Sequence, residues 1–148
     1  MRKEHVAYLA LGTNLGDKER NITEAYQRIE GKVGRIERKS SLYHSKPWGF
    51  TSQNDFVNTV ICCSTNLTPR QLLEATQSIE REMGRTVKSK CGEYQDRIID
   101  IDIILYDKMT VEEPDLHIPH PLMKERPFVM IPLEEIYKEE QTNDKRHN

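Results

Sequence analysis

At 148 residues the chain has room for one domain with a proper hydrophobic core and needs no second one. Its 22 lysines and arginines against 24 aspartates and glutamates leave a net charge of -2, so there is no global basic field for a nucleic-acid backbone, and nucleic acid is disfavoured as a partner. Cys62, Cys63 and Cys91 have neither zinc-ligand spacing nor the even count of a disulfide framework, and no apolar run is long enough for a signal peptide or a membrane span; the expectation is a cytoplasmic protein with reduced thiols, away from membranes.

Residues 6–11 are an apolar run ending in Gly12-Thr13-Asn14-Leu15-Gly16, which predicts a first strand leading into a loop. Asp17 is placed to cap a helix over 18–29, where Ile22, Ala25, Tyr26 and Ile29 recur at helical spacing before Gly31 and Gly34 stop it. The Gly-Thr-Asn-Leu-Gly-Asp-Lys segment is not a phosphate loop: the glycine spacing is wrong and no Ser or Thr follows the lysine.

A second strand is expected over 36–44, running into Ser45-Lys46-Pro47-Trp48-Gly49-Phe50. Two aromatics between Pro and Gly suit a ligand-binding loop, and equally a hydrophobic flap over the core edge. Residues 55–66 alternate as a third strand, with Phe56, Asn58, Val60, Cys62 and Ser64 on one face and Val57, Thr59, Ile61, Cys63 and Thr65 on the other. Asn58 among apolar neighbours either satisfies nearby backbone or offers its amide to the edge of a flat heterocycle.

Thr68-Pro69 opens a second helix that Leu72, Leu73, Thr76, Ile79, Glu80 and Met83 carry to Gly84. Gln77 and Glu80 share a face of it, which by itself is an ordinary polar helix edge. Residues 85–97 have no apolar period and carry Arg85, Lys88, Lys90 and Arg97, a basic segment that is either solvated surface or a clamp on phosphates. Like residues 45–51, it is expected to be mobile without ligand and to close when substrates bind.

It delivers the chain into residues 97–106, Arg-Ile-Ile-Asp-Ile-Asp-Ile-Ile-Leu-Tyr, a β-branched run that reads as a buried strand. Alternation puts Ile99, Ile101, Ile103 and Leu105 on one face and Ile98, Asp100, Asp102 and Ile104 on the other, so the two acids sit side by side. Such a pair repels unless something positive or wet lies between its members. A solvated sheet face would account for it, but Asp is a poor strand former, and local conflicts of this kind mark functional sites. A hard divalent ion such as Mg²⁺, held by carboxylates, waters and substrate phosphates, fits, and makes phosphate transfer the first hypothesis.

Beyond it come a strand-like piece at 109–111, the proline-fixed segment Leu116-His117-Ile118-Pro119-His120-Pro121, and a helical turn with Lys124 and Arg126. Two histidines and two cations there suit a polyphosphate. Residues 128–133 read as a closing strand, with Glu134-Glu135-Ile136 turning away and 138–148 as a polar, disordered tail behind a single domain of 1–137. The order strand, helix, strand, strand, helix, strand predicts an α+β, ferredoxin-like split βαβ fold: an antiparallel sheet with helices on one face, Asp100 and Asp102 on the open face, and long active-site loops.

The ordered blocks Leu11-Gly12-Thr13-Asn14-Leu15-Gly16, Pro47-Trp48-Gly49 with Phe56-Val57-Asn58, Gln77-Ser78-Ile79-Glu80 with Gly84-Arg85, the Arg-x-x-Asp-x-Asp stretch from Arg97 to Asp102, and Pro119-His120 with Arg126 and Phe128 carry a family resemblance. From about residue 6 to 133 the chain resembles the hydroxymethyldihydropterin pyrophosphokinases of folate synthesis, which move a pyrophosphoryl group from ATP to a reduced pterin. The resemblance implies a pterin pocket of Ser45, Pro47, Trp48, Phe56, Asn58 and Phe128, and nucleotide contacts from Gln77, Glu80, Lys88, Ile103, His117, His120 and Arg126. It implies catalytic roles for Arg85, Arg97, Asp100 and Asp102, the aspartates holding two Mg²⁺ ions over the ATP phosphates. ATP and the reduced pterin are then the small-molecule partners, and a monomer is the default because no exposed apolar stripe asks for a second copy. Relatives commonly carry Trp-Gly-Pro-Arg where this chain has Tyr94-Gln95-Asp96-Arg97, and a basic residue and a hydroxyl where it has Asp115 and His117. A non-catalytic nucleotide- or pterin-binding module and a metal-dependent phosphohydrolase are the alternatives from other classes.

Overall fold

A computed structural model describes residues 4–45, 55–84 and 98–137. Its main sheet is built on β1 (His5–Thr13) and β4 (Phe56–Thr65), antiparallel neighbours buried along almost their whole length. That two-sided burial explains why both read as nearly unbroken apolar runs. β2 (Gly34–Lys39) and β3 (Tyr43–Ser45) pair with successive parts of β4, and β5 (Asp100–Tyr106) pairs with β1 on the far side. The order β2-β4-β1-β5, antiparallel throughout, is the ferredoxin-like arrangement the element order predicts.

Two crossover helices cover one face. In α1 (Lys18–Lys32) the Asp17 carboxylate accepts from the backbone N–H of Arg20 at 3.2 Å, and Ile22, Ala25 and Ile29 turn inward. α2 (Pro69–Gly84) begins with a reciprocal cap: Gln71 N–H donates to Thr68 Oγ1 at 3.2 Å, and Thr68 N–H donates to Gln71 Oε1 at 3.0 Å. Such a cap contributes about 1 kcal/mol. Burial of Leu72 and Ile79, both at 0% exposure, stabilises the helix further by about 2 kcal/mol apiece. These side chains meet Leu9, Leu11, Val57, Ile61, Ile99, Ile101 and Ile103 in the main core. Tyr106 closes its end, the phenol donating to the Leu67 carbonyl at 2.6 Å.

Several boundaries differ from the sequence reading. The expected strand 36–44 is two strands broken at 40–42, where Ser40 turns its hydroxyl inward to Thr59 Oγ1 at 2.9 Å and accepts from Val60 N–H at 3.0 Å. The strand piece at 109–111 lies instead at β6 (Val111–Glu113), paired with β7 (Leu116–Ile118) in a hairpin that Arg70 of α2 grips through Glu113 and Asp115. Leu105 does not share the face of Ile103. Register shifts between Tyr8 and Leu9, so that Ile103 opposes Leu9 while Leu105 opposes Tyr8, and the extra residue Ile104 makes a bulge that moves Leu105 to the other face and Tyr106 to the helix side.

The closing strand expected at 128–133 is a helix, α3 (Pro127–Ile136). Its buried Val129, Pro132, Leu133 and Ile136 stand at i, i+3, i+4 and i+7, and Pro127 occupies the first turn, where a missing N–H is harmless. With the 3₁₀ turn Met123–Glu125, α3 packs on Tyr8, Ala10, Val60, Cys62 and Ile104, forming a smaller second core on the sheet face away from α1 and α2. The carboxylate face is therefore open only beyond α3. The expected tail, 138–148, lies outside the described residues.

Candidate active site

β5 places Asp100 and Asp102 as the sequence pattern requires. Both are half-buried, alternating with the buried Ile99, Ile101 and Ile103, which face the helices. Across the sheet Asp100 stands opposite Gly12 and Asp102 opposite Ala10, so the flanking positions on their face carry no large side chain. Asp102 Oδ2 lies 3.6 Å from Arg126 Nη1 and 3.9 Å from His120 Nε2. Arg126, at 6% exposure, is the N-cap residue of α3 and hangs its guanidinium back toward the carboxylates, 5.8 Å above the ring of Phe128. Buried arginine beside a carboxylate is the condition under which charge is kept in a protein interior.

His120 is fixed by its own backbone and ring. Its N–H donates to the Ile104 carbonyl at 3.1 Å, and its Nδ1 accepts from Leu122 N–H at 3.2 Å. In the neutral ring Nε2 then carries the proton and points to Asp102. Burial, followed by the charge of Arg126, holds the His120 pKa below its ordinary value, with Asp100 opposing.

A second cluster begins at Asn58. Gly12 opposes it across the β1–β4 ladder, and a Cβ at Gly12 would stand 2.8 Å from Asn58 Oδ1 and 3.6 Å from Phe56 Cδ1. The amide lies over bare backbone because position 12 has no side chain. Asn58 Nδ2 donates to Ser45 Oγ at 2.8 Å and reaches the Tyr43 carbonyl at 3.5 Å. Ser45, Phe56 and Asn58 therefore form one group at the edge where β3 meets β4. Beside this ladder, the β1–α1 turn is held by Asn21, whose amide donates to Thr13 Oγ1 at 3.1 Å and to the Leu15 carbonyl at 2.8 Å.

Glu80 does something the sequence reading missed. Its Oε2 accepts from the backbone N–H of Ile101 at 2.7 Å, on the outer edge of β5. Gln77 is exposed one turn earlier on α2, His117 is exposed on β7, and the Ile103 side chain is buried in the main core, leaving only its backbone for a ligand. Pro47, Trp48, Arg85, Lys88 and Arg97, with the loop closure expected of 45–51 and 85–97, lie outside the described residues apart from Ser45. The close approach at Gly12 has no separate signal in the sequence, where this glycine reads as the start of a loop; β1 runs on to Thr13 and so puts it inside a strand, where a glycine marks a close approach.

The donors suit a hard ion. Among the described residues no group of three or more His, Cys, Asp and Glu gathers as a closed metal cage. Two half-exposed carboxylates on one face, with cations nearby, match the way Mg²⁺ is held, by one or two carboxylates with waters and phosphate oxygens completing its shell.

Fold and site together define a class, a ferredoxin-like α+β domain with paired carboxylates, a buried arginine and a histidine on one open sheet face. Residues 8–138 match the family model described as 7,8-dihydro-6-hydroxymethylpterin-pyrophosphokinase (HPPK). A 2-amino-4-hydroxy-6-hydroxymethyldihydropteridine pyrophosphokinase of Porphyromonas gingivalis is 44% identical over 132 residues, covering 88% of this chain and 90% of the relative. A protein of the same name from Bacillus subtilis is 39% identical over 133 residues, covering 89% and 78%. Among solved structures, an HPPK-DHPS in complex with substrates superposes with a TM-score of 0.73 at 15% identity, and the wild-type HPPK-DHPS of Plasmodium falciparum with 0.70 at 17%. Both show the fold; this chain spans 41% of either chain. The chain belongs to the HPPK family.

Proposed function

We propose that this chain is the pyrophosphokinase of folate synthesis, transferring the β,γ-pyrophosphoryl group of ATP to the hydroxymethyl group of 6-hydroxymethyl-7,8-dihydropterin and releasing AMP. The observation that carries the reading is the Asp100–Asp102 pair on the open face of β5, set beside Arg126 and His120, in a chain of this family. The pterin hydroxyl oxygen forms a bond to the β-phosphorus as the bond from that phosphorus to the α–β bridging oxygen breaks. The hydroxyl proton is released, and AMP leaves with the bridging oxygen.

The residues divide this work. Asn58, oriented by Ser45, offers an amide to the edge of the pterin, with Phe56 and Phe128, joined by Pro47 and Trp48, supplying apolar walls. Arg126 and the Nε2–H of His120 face the phosphates, while Arg85, Lys88 and Arg97 come from the basic segment. The Ile103 backbone lies on the same outer edge as that of Ile101, a rim for the adenine, with Gln77 and His117 at the nucleotide periphery. Asp100 and Asp102 would hold Mg²⁺, two ions in the family pattern, which when bound neutralises the triphosphate and polarises the reacting phosphorus.

Incubation with ATP, the reduced pterin and Mg²⁺ tests the proposal. AMP and the pterin pyrophosphate should appear in equal amounts. ADP in place of AMP overturns the assignment; phosphate or pyrophosphate release without pterin favours a phosphohydrolase, and ligand binding without turnover a non-catalytic module.

A further inference from the structure

β5 is the outermost strand of the sheet, and its far edge has no strand partner among the described residues. An edge strand is the least constrained part of a sheet, since half its backbone groups lack a ladder partner. Yet this edge carries Asp100 and Asp102, whose separation and aim depend on the pleat of the three residues from 100 to 102. The backbone N–H that points outward midway between them is that of Ile101, and it donates to Glu80 Oε2 at 2.7 Å. Glu80 comes from the opposite side of the sheet. Its neighbour Ile79 is fully buried under the main core, so the carboxylate reaches from α2 around the strand edge to backbone between two carboxylates that face the other way.

We propose that Glu80 is a positioning residue for the aspartate pair: it substitutes for the missing strand neighbour, holds the pleat at Ile101, and so sets the geometry in which Asp100 and Asp102 receive a divalent cation. This rests on the metal reading above and assigns Glu80 a role through β5, where resemblance alone assigns it to the nucleotide. The acceptor is a carboxyl oxygen 2.7 Å from the Ile101 nitrogen, at the short end of backbone N–H···O distances. What the strand requires from Glu80 is an acceptor oxygen at that point, which an amide supplies as well. Charge at Glu80 would, by contrast, act on the cation directly and be lost in the amide.

Three variants, Glu80→Ala, Glu80→Gln and Asp102→Asn, separate these effects. The readouts are Mn²⁺ affinity by paramagnetic resonance in the presence of a non-hydrolysable ATP analogue, and hydrogen exchange at the Ile101 amide without metal. Glu80→Ala should speed Ile101 exchange and weaken Mn²⁺ binding by about tenfold, the lower end of what loss of a supporting hydrogen bond does at metal sites. Glu80→Gln should recover most of both. Unchanged exchange and Mn²⁺ affinity in Glu80→Ala overturn the inference, as does a Glu80→Gln variant no better than Glu80→Ala, which would make the effect one of charge. So does a rise in the analogue's dissociation constant at saturating Mn²⁺ with metal affinity intact, which would place Glu80 on the nucleotide. If Asp102→Asn binds Mn²⁺ as well as the unaltered protein, the metal reading fails and the inference with it; if Asp102→Asn loses metal and Glu80→Ala does not, the inference alone fails.

Discussion

Replacing Gly12 with alanine should injure pterin binding while sparing the nucleotide. The new Cβ would stand 2.8 Å from Asn58 Oδ1, and an ordinary carbon–oxygen contact is about 3.3 Å, so something must retreat by about half an ångström. β1 and β4 are paired over nine successive positions at the centre of the sheet, which makes a backbone shift the costlier response. The Asn58 side chain yields first, and it cannot turn away without straining its 2.8 Å bond to Ser45 Oγ. Misaiming one recognition amide at a buried edge is worth about 1–2 kcal/mol, or about 5- to 30-fold in pterin affinity. Overpacking should also lower stability, by about 1–3 kcal/mol. Titration of the pterin against protein fluorescence gives the affinity, and ATP affinity measured in parallel with Mg²⁺ is the control. In a double-mutant cycle Asn58→Ala should remove most of the penalty of Gly12→Ala, because the clash has lost its partner. A Gly12→Ala protein that binds pterin within twofold of normal, or equal losses for pterin and nucleotide, refutes the reasoning.

Asp102→Ala should abolish turnover and Mg²⁺-dependent ATP binding while leaving the protein folded, which kinetics and circular dichroism would check. Taken alone, two repelling acids suggest that this change stabilises the strand; with the buried Arg126 guanidinium 3.6 Å from Asp102, a loss of about 1–2 kcal/mol in a urea melt is expected instead. Arg97→Ala should lower kcat by about 10²-fold with a much smaller change in ATP affinity, if its charge meets the phosphates mainly in the transition state; an equal fall in affinity would make it an ordinary binding group. Burial pushes the Cys63 thiol up to about 12, so at pH 8 iodoacetamide should label it about 10³-fold more slowly in the folded protein than in urea, and comparable labelling by mass spectrometry would contradict its burial.

Much of this protein is legible in one dimension because its main elements bury a whole face at a regular period. The alternation of residues 56–65 puts Val57, Ile61 and Cys63 in one core and Val60 and Cys62 in the other, as the sequence pattern requires. Thr68 and Pro69 announce the start of α2 because capping is local to a few residues, and the structure adds Gln71 as the reciprocal partner three residues on. The side-by-side placement of Asp100 and Asp102 follows from the period of a strand and nothing else. Residues 128–133 read as a strand and fold as a helix because a short apolar run satisfies either, and the inward spacing of Val129, Leu133 and Ile136 becomes decisive only with the sheet face beneath them. Leu105 changed faces through a bulge, a mismatch between two strands that neither strand carries alone. Tertiary structure alone decided that Arg126 is buried against Asp102, that Gly12 makes room for Asn58, and that Glu80 reaches Ile101, 21 residues along the chain. Periodicity in a sequence records which way a side chain faces; what it meets there depends on the packing of elements that are distant in the chain, and that has no local signature.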